Sequence, residues 1–133
     1  GTTELLLFGN QVSRGTGTST AVVRLGDSGG LEDSGYNFNL VYTWSSSFYE
    51  NGISDRTGID FTVYDNVSNF TCHCWNTSGN KWMMDVHMHT HSGTQYWVTS
   101  LCEKELSNTL DRIGIADRNG TNFDGGSIQL WYK

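Results

Sequence analysis

The chain has 133 residues and a formal net charge of −6, and this length suffices for one domain, residues 1–133, with a hydrophobic core of its own. Its eight Lys and Arg residues are scattered singly along an acidic chain, which argues against nucleic acid as a partner. No apolar run approaches the roughly 18 residues that a membrane span requires, so we expect no membrane insertion.

Composition favours an all-β fold. Gly, Ser, Thr, Asn and aromatic residues are abundant, which is typical of short strands joined by turns. The first half of the chain contains four apolar or alternating segments that predict strands: Leu5–Phe8, Thr20–Leu25, Tyr36–Trp44 and Ile59–Tyr64. The polar, glycine-containing residues 26–35 and 45–58 between them predict loops.

The second half begins with the most regular stretch of the chain, residues 69–103. Its two-residue alternation predicts three antiparallel strands joined by turns at residues 76–80 and 92–94. Two further strands are predicted at Arg112–Ala116 and Ser127–Lys133, and only residues 103–110 have room for a helical turn. About eight strands separated by turn residues predict an all-β fold, an antiparallel β-sandwich or jelly roll.

The alternating segments assign one set of side chains to a common interior. We expect the following residues to be buried: Leu40, Tyr42, Phe70, Cys72, Cys74, Trp82, Met84, Val86, Val98, Cys102, Ile128 and Leu130. We interpret the three cysteines as free thiols that behave as small apolar residues. A Cys-x-Cys metal or redox pair at Cys72 and Cys74, or a disulfide to Cys102, is the alternative.

Every histidine falls on the opposite, outward face. With tight turns, the predicted register makes four outward pairs: His73 with Met83, His87 with Thr99, His89 with Trp97 and His91 with Gln95. The candidate site residues on this face are Asp85, His87, His89, His91, Trp97, Thr99 and Leu101. A Trp and a Leu among polar groups, on strands whose other face supplies the core, indicate a surface that meets a partner.

Two interpretations of this face involve a protein or a sugar. In the first, it packs against the rest of the domain or a second subunit, with the histidines at the rim. In the second, it binds a glycan: Trp97 stacks on the apolar face of a sugar ring, and the side chains of His87, His89 and Asp85 bond to the hydroxyl groups.

A third interpretation is a metal site at His87, His89 and His91, since His-x-His on one strand face is ligand spacing. The three histidines span about 13 Å at strand rise and cannot share one ion. A site within one chain would therefore need Asp85 or His73 as a further ligand, whereas a trimer could place histidines from each chain on its axis.

Motifs for catalysis are absent from the sequence, which has no Gly-x-Ser-x-Gly elbow, phosphate loop or Glu-x-x-His helix. The predicted strands also place the cysteines on the core face and the histidines on the outward face, which is the wrong geometry for a Cys–His nucleophile. We therefore expect a protein that is not an enzyme and has no cofactor.

Both ends of the chain carry a family resemblance. Residues 110–133 contain an Ile-x-Ile strand, an Asn-Phe-x-x-Gly-Ser turn and a final Ile-x-Leu strand, and they resemble the close of a β-sandwich domain of bacteriophage tail-fibre and other virion proteins. Residues 4–12, with the sequence ELLLFGNQV, resemble the first strand of such domains. The resemblance implies a sandwich fold and a virion context, and it carries over no binding residue.

The residues and the resemblance together predict a phage virion surface protein made in the host cytoplasm. Its expected partners are other virion proteins and a host-surface glycan, so it either binds a receptor or decorates the capsid or tail. A metal-binding protein or metalloenzyme that uses the histidine strand, and a secreted lectin-like binding protein, are the alternatives. A homotrimer is expected, because the large apolar side chains of Trp97, Leu101 and Trp131 are costly to leave in water.

Overall fold

The computed structural model describes residues 1–14, 21–44, 46–61, 67–90, 96–117 and 123–133. In these ranges the chain forms eleven strands, where about eight were expected, and every pairing is antiparallel. The all-β prediction is confirmed. The strands are β1 (Glu4–Arg14), β2 (Ala21–Asp27), β3 (Gly30–Leu31), β4 (Tyr36–Trp44), β5 (Ser47–Arg56), β6 (Ile59–Phe61), β7 (Ser68–Ser78), β8 (Lys81–Thr90), β9 (Tyr96–Glu105), β10 (Arg112–Asp117) and β11 (Phe123–Tyr132). Across the described ranges, no helix has the length and apolar character to span a membrane.

Two sheets share one hydrophobic core in a sandwich-like arrangement. The large sheet has seven strands in the order β11-β1-β7-β8-β9-β4-β5. The small sheet is centred on β2, with β10 on one side and the short strands β3 and β6 on the other. The three strands that the regular stretch of the sequence predicted, β7, β8 and β9, therefore form the middle of the large sheet.

The inner face of the large sheet packs on the small sheet. Because successive side chains on a strand point to opposite faces, alternation in β7, β8 and β9 supplies this core. Nine predicted core residues are confirmed as buried: Leu40, Phe70, Cys72, Cys74, Trp82, Met84, Val86, Val98 and Cys102. The hydroxyl of Tyr36 joins the two sheets, since it accepts a hydrogen bond from the backbone N–H of Leu25 at 2.7 Å and donates one to the Leu25 carbonyl at 3.1 Å.

The core prediction is wrong for Ile128 and Leu130, whose side chains are 46% and 47% exposed. Both lie on β11, the outermost strand of the large sheet, and the cover of the small sheet ends at the neighbouring β1, where Leu5 is buried. Tyr42 is only partly buried. It packs against the core and stacks on Tyr49 of β5, with 4.9 Å between the ring centroids.

Residues 45–58, which were predicted as a loop, contain β5, the second edge strand of the large sheet. An edge strand in contact with water needs little apolar surface, so its sequence shows no clear alternation. The predicted loop 26–35 likewise contains the short β3. Residues 103–110, the one segment in which the sequence left room for a helical turn, contain no helix: residues 103–105 continue β9 and residues 107–109 form a bend. Thr20, residues 62–64 and the predicted turn at residues 92–94 lie outside the described residues.

A buried ion pair closes one end of the core. Lys104, on the inner face of β9, is only 4% exposed, and its ammonium group donates to a carboxylate oxygen of Glu32 and lies 5.2 Å from the ring centroid of Tyr36. The other Glu32 oxygen accepts a hydrogen bond from the backbone N–H of Ser107 at 2.7 Å. Burial alone raises the pKa of Glu32, but the hydrogen bonds from Lys104 and Ser107 outweigh it and hold that pKa below its ordinary value of 4.5.

The three cysteines are free thiols in the core. The sulfur atoms of Cys72 and Cys74 lie 3.6 Å apart and share a hydrogen bond. That bond and burial raise the pKa of Cys72, while burial raises the pKa of Cys102 to about 12. The reactive thiolate form of both residues is therefore suppressed at neutral pH.

Candidate ligand platform

The outward face of β7, β8 and β9 carries the predicted site residues. Two of the four predicted pairs are confirmed by the register: His87 with Thr99 and His89 with Trp97. His91 and Gln95, the fourth predicted pair, lie outside the described residues.

The pairing predicted for His73 is wrong by two residues. His73 lies opposite Asp85 instead of Met83, because β7 and β8 continue to a two-residue turn at Gly79 and Asn80 and the register then shifts by one residue between Ser78 and Asn76. Gly79 has a φ of 54°, which is the left-handed conformation that glycine accepts most readily. An even shift in register leaves every side chain on its predicted face.

The imidazole ring of His73 contacts two nearby side chains, Glu4 and Trp75. Its Nε2 lies 2.7 Å from Oε1 of Glu4 on β1, and its ring packs on Trp75 with 5.0 Å between the centroids. Since Nε2 is engaged by Glu4, the structure gives this histidine a partner on β1 and not on the strand of His87.

His87 is oriented by a hydrogen bond across the strands. Oγ1 of Thr99 lies 2.9 Å from Nδ1 of His87, and Oδ2 of Asp85 lies 4.0 Å from Nε2 of the same ring. When the Thr99 hydroxyl donates to Nδ1, the neutral ring carries its proton on Nε2 and is itself a donor. Thr99 thus orients His87, whereas Asp85 lies near the ring but beyond hydrogen-bonding distance.

Trp97 forms one wall of a cavity of about 350 Å³ on this face. The exposed ring of Phe8 lines the same cavity from β1, across β7 and β8 and therefore three strand spacings, or about 14 Å, away. Four polar side chains between the two rings form the floor: Asn69, Thr71, His87 and His89. The cavity therefore combines two apolar walls with a floor of hydrogen-bonding groups.

A bulge in β1 shapes the rim of the cavity. The pairing of β1 shifts after Asn10, and Gln11 takes a φ of 50°, which is uncommon for a residue other than glycine. The backbone N–H of Gln11 donates to Oδ1 of Asn69 at 2.8 Å. This bond fixes the Asn69 amide with its oxygen toward the bulge, so its nitrogen can donate to a ligand.

Phe8, Asn69 and Thr71 are cavity residues that the sequence analysis missed. The run of four apolar residues from Leu5 to Phe8 was a usable signal, because a strand with apolar residues at consecutive positions has apolar side chains on both faces. The contribution of Asn69 and Thr71 depends on β1 and β9 flanking β7 and β8, and no local pattern indicates that order of strands.

Leu101 belongs to a second cavity of about 570 Å³ on the large sheet, between β9, β4 and β5. Its lining includes Met83, Glu103, Asn37 and Asn39. The predicted site is therefore divided: Trp97, His87 and His89 line one cavity, whereas Leu101 lines the other.

The predicted metal site is not assembled in the described part of the chain, where no group of three His, Cys, Asp or Glu residues lies together in a way that could hold an ion. His87 and His89 are on one face, as the spacing requires, but His91 lies outside the described residues. A site formed by these three histidines stays a prediction.

We compared the chain with protein-family models, with curated proteins and with solved structures, and none of the three comparisons found a match.

Proposed function

We propose that this chain is a non-enzymatic recognition protein of a phage virion surface, and that it binds a host-surface glycan in the cavity between Phe8 and Trp97. The observation that supports this proposal is the combination of two exposed aromatic rings with the polar floor between them. The jelly-roll form of the sandwich and the virion context stay predictions, the latter resting on the resemblance of residues 4–12 and 110–133.

A saccharide suits this combination of groups. A sugar ring has an apolar face of C–H groups, which stacks on an aromatic ring, and a rim of hydroxyl groups, which both donate and accept hydrogen bonds. The Asn69 amide nitrogen is a donor, Nε2 of His87 is a donor when the Thr99 hydroxyl donates to Nδ1, and the Thr71 hydroxyl both donates and accepts. The distance of about 14 Å between β1 and β9 leaves room for consecutive sugar rings, with one ring against Phe8 and another against Trp97.

The experiment is a binding measurement on purified protein with a panel of bacterial surface polysaccharides and a glycan array. We expect Trp97→Ala and Phe8→Ala each to weaken binding of the best glycan by tenfold or more, since each removes one stacking surface. Phe48→Ala is the matched control, because Phe48 is an exposed aromatic residue of the same sheet that lies outside the lining of the cavity. Its affinity should equal that of the unmodified protein.

Binding by Trp97→Ala and Phe8→Ala at full strength would contradict the glycan site.

A decoration role is the second candidate, favoured by Trp131 and Tyr132, which are exposed at a distance from the cavity. A decoration protein should bind purified particles and ignore host cells and polysaccharide. Absence of the protein from purified virions, tested by mass spectrometry, would exclude both roles.

A further inference from the structure

Among the described residues, β11 is an edge strand that pairs on one side only. On that side it pairs with β1, where Glu4 and Lys133 exchange two backbone hydrogen bonds of 3.2 and 3.0 Å. In an antiparallel ladder, hydrogen-bonded pairs alternate with non-hydrogen-bonded pairs. The register therefore directs the backbone groups of Trp131 and Gln129 toward β1, and those of Tyr132, Leu130 and Ile128 toward the open edge.

The side chains of these three edge-directed residues are also uncovered. Ile128, Leu130 and Tyr132 share the inner face of the large sheet with Leu5 and Leu7, but they extend past the small sheet and are exposed. Leu130 and Tyr132 line a groove of about 390 Å³, whose other wall is the edge of the small sheet. One strand thus exposes both its hydrogen-bonding edge and an apolar face.

The two edges of the large sheet differ in how they avoid pairing with other chains. Natural edge strands are usually protected by charged side chains, proline or shortness. β5, at one edge, carries Glu50 and Arg56. β11 is ten residues long, and its residues 125–132 contain no charged residue and no proline. The sequence protects one edge and leaves the other open.

We propose that two copies of this chain, and not the three expected from the sequence, pair through β11 about a two-fold axis at Leu130. In this antiparallel register Leu130 faces Leu130 of the partner subunit, and Ile128 faces Tyr132 of the partner subunit. The edge-directed N–H and C=O groups of the three residues then form six hydrogen bonds, and the two large sheets become one sheet of fourteen strands.

The charges of the two edges are compatible in this register. Lys133 lies opposite Ser127 of the partner subunit, so the two lysines do not meet. On the outward face, Gln129 lies opposite Trp131 of the partner subunit. A strand that carried a charge at its centre would place two like charges against each other, so the neutral sequence of β11 is what an isologous pairing requires. The proposal does not depend on the glycan site, since the strand is self-complementary without a ligand.

The test is the mass of the protein in solution, measured by light scattering or sedimentation at 5 to 100 μM. We expect twice the chain mass of 14.8 kDa for the unmodified protein. Leu130→Lys places two ammonium groups at the axis and should give a monomer. Phe48→Lys makes the same change at an exposed apolar residue of the opposite edge, and it should remain a dimer.

A second variant tests the backbone pairing itself. Leu130→Pro removes an N–H that faces the open edge and leaves the ladder with β1 intact, so it should fold and be monomeric. Hydrogen exchange adds a third readout: the amides of Ile128, Leu130 and Tyr132 should be protected in the unmodified protein and lose that protection in Leu130→Lys. A monomer at 100 μM, a trimer, or a dimer that persists in Leu130→Lys would overturn the proposal.

Discussion

A charged residue on the inner face of a strand is rare, and Lys104 illustrates what such a position requires. Its neighbours on that face of β9, Cys102 and Ser100, are buried. Removal of an ammonium group from water is costly unless a carboxylate compensates for it, and Glu32 supplies that carboxylate. Tyr36 adds an aromatic ring beneath the charge. The loop that contains Glu32 is thereby attached to the core.

We expect Glu32→Gln to destabilise the fold by about 1–3 kcal/mol, because it leaves the buried Lys104 ammonium group without its carboxylate partner, although Glu32 itself is partly exposed. Glu105→Gln is the matched control: Glu105 pairs with Lys81 at 3.8 Å on the surface, and a pair of this kind contributes roughly 0–1 kcal/mol. Urea unfolding of both variants measures the difference. Equal free energies of unfolding would contradict a structural role for the buried pair.

The same pair predicts a loss of stability in acid. The pKa of Glu32 is lower in the folded state than its ordinary value of 4.5, so the unfolded chain takes up a proton more readily than the folded one. The stability contributed by Glu32 is therefore fully present above the unfolded pKa and is lost as the pH falls through the folded pKa. Unfolding between pH 7 and pH 3 should show a steeper decline for the unmodified protein than for Glu32→Gln.

At the scale of elements, the pairing of β1 with β7 depends on one glycine. Gly9 lies opposite Phe70, and a Cβ at Gly9 would overlap the Phe70 ring, which covers the backbone there. A similar substitution on β5 meets no such obstacle, because a Cβ at Gly52 would lie 3.4 Å from Oδ1 of Asn39. The two glycines are in the same sheet and differ in what surrounds them.

Gly9→Ala should therefore destabilise the protein by about 1–3 kcal/mol, which is the usual effect of overpacking. Gly52→Ala should be neutral or stabilise by up to about 1 kcal/mol, because alanine reduces the freedom of the unfolded chain. Guanidinium unfolding of the two variants provides the comparison. If the two substitutions have equal effects, the Phe70 ring is not what requires a glycine at position 9.

What the sequence can predict depends on whether a strand lies inside the sheet or at its edge. Alternation in β7, β8 and β9 correctly assigned the core residues and the outward face. These strands lie in the middle of the large sheet, where one face packs on the small sheet and the other face is outward. β5 has the same pairing on one side only, and its polar sequence was mistaken for a loop. Ile128 and Leu130 alternate as core residues do, yet they are exposed because the small sheet does not reach β11.

The candidate site was predictable in part for the same reason. His87, His89 and Trp97 are close in sequence, and their register follows from tight pairing. Phe8 reaches the cavity only because β1 lies beside β7 in the sheet, across about sixty residues of sequence. A contact between segments so far apart in sequence depends on the order of the strands in the sheet, and no local pattern in the sequence predicts it.

At the scale of the whole molecule, the reactivity of the three thiols measures how the core opens. Cys72, Cys74 and Cys102 have no exposed surface, and they lie in the middle of the large sheet on β7 and β9, the two neighbours of β8. The hydrogen bond with Cys74 and burial raise the pKa of Cys72, and burial raises the pKa of Cys102, so little thiolate is present at neutral pH. A thiol reagent can reach them only when the sheets separate.

We expect none of the three thiols to react with Ellman's reagent within minutes in the folded protein, and all three to react in guanidinium. Ser78→Cys is the control, because residue 78 is exposed beside the β7–β8 turn and its thiol should react at once. Rapid reaction of the unmodified protein would show that the core opens locally, without separation of the two sheets.

The pairing of β1 with β11 also has a consequence for the order in which the fold is made. The backbone N–H of Thr3 donates to the Lys133 carbonyl at 2.7 Å, so segments at opposite ends of the sequence lie side by side. During synthesis β1 is made before the other strands, and β11, its neighbour at the edge of the sheet, is made more than a hundred residues later. A circular permutant with a short bridge from Lys133 to Gly1 and new ends at Gly79 and Asn80 would convert this pairing into a local hairpin. Its strands would keep their positions, but β7 and β8 would then be the pair at opposite ends of the chain. Its folding rate, compared with that of the unmodified protein, would show which of the two pairings has to be local for rapid folding.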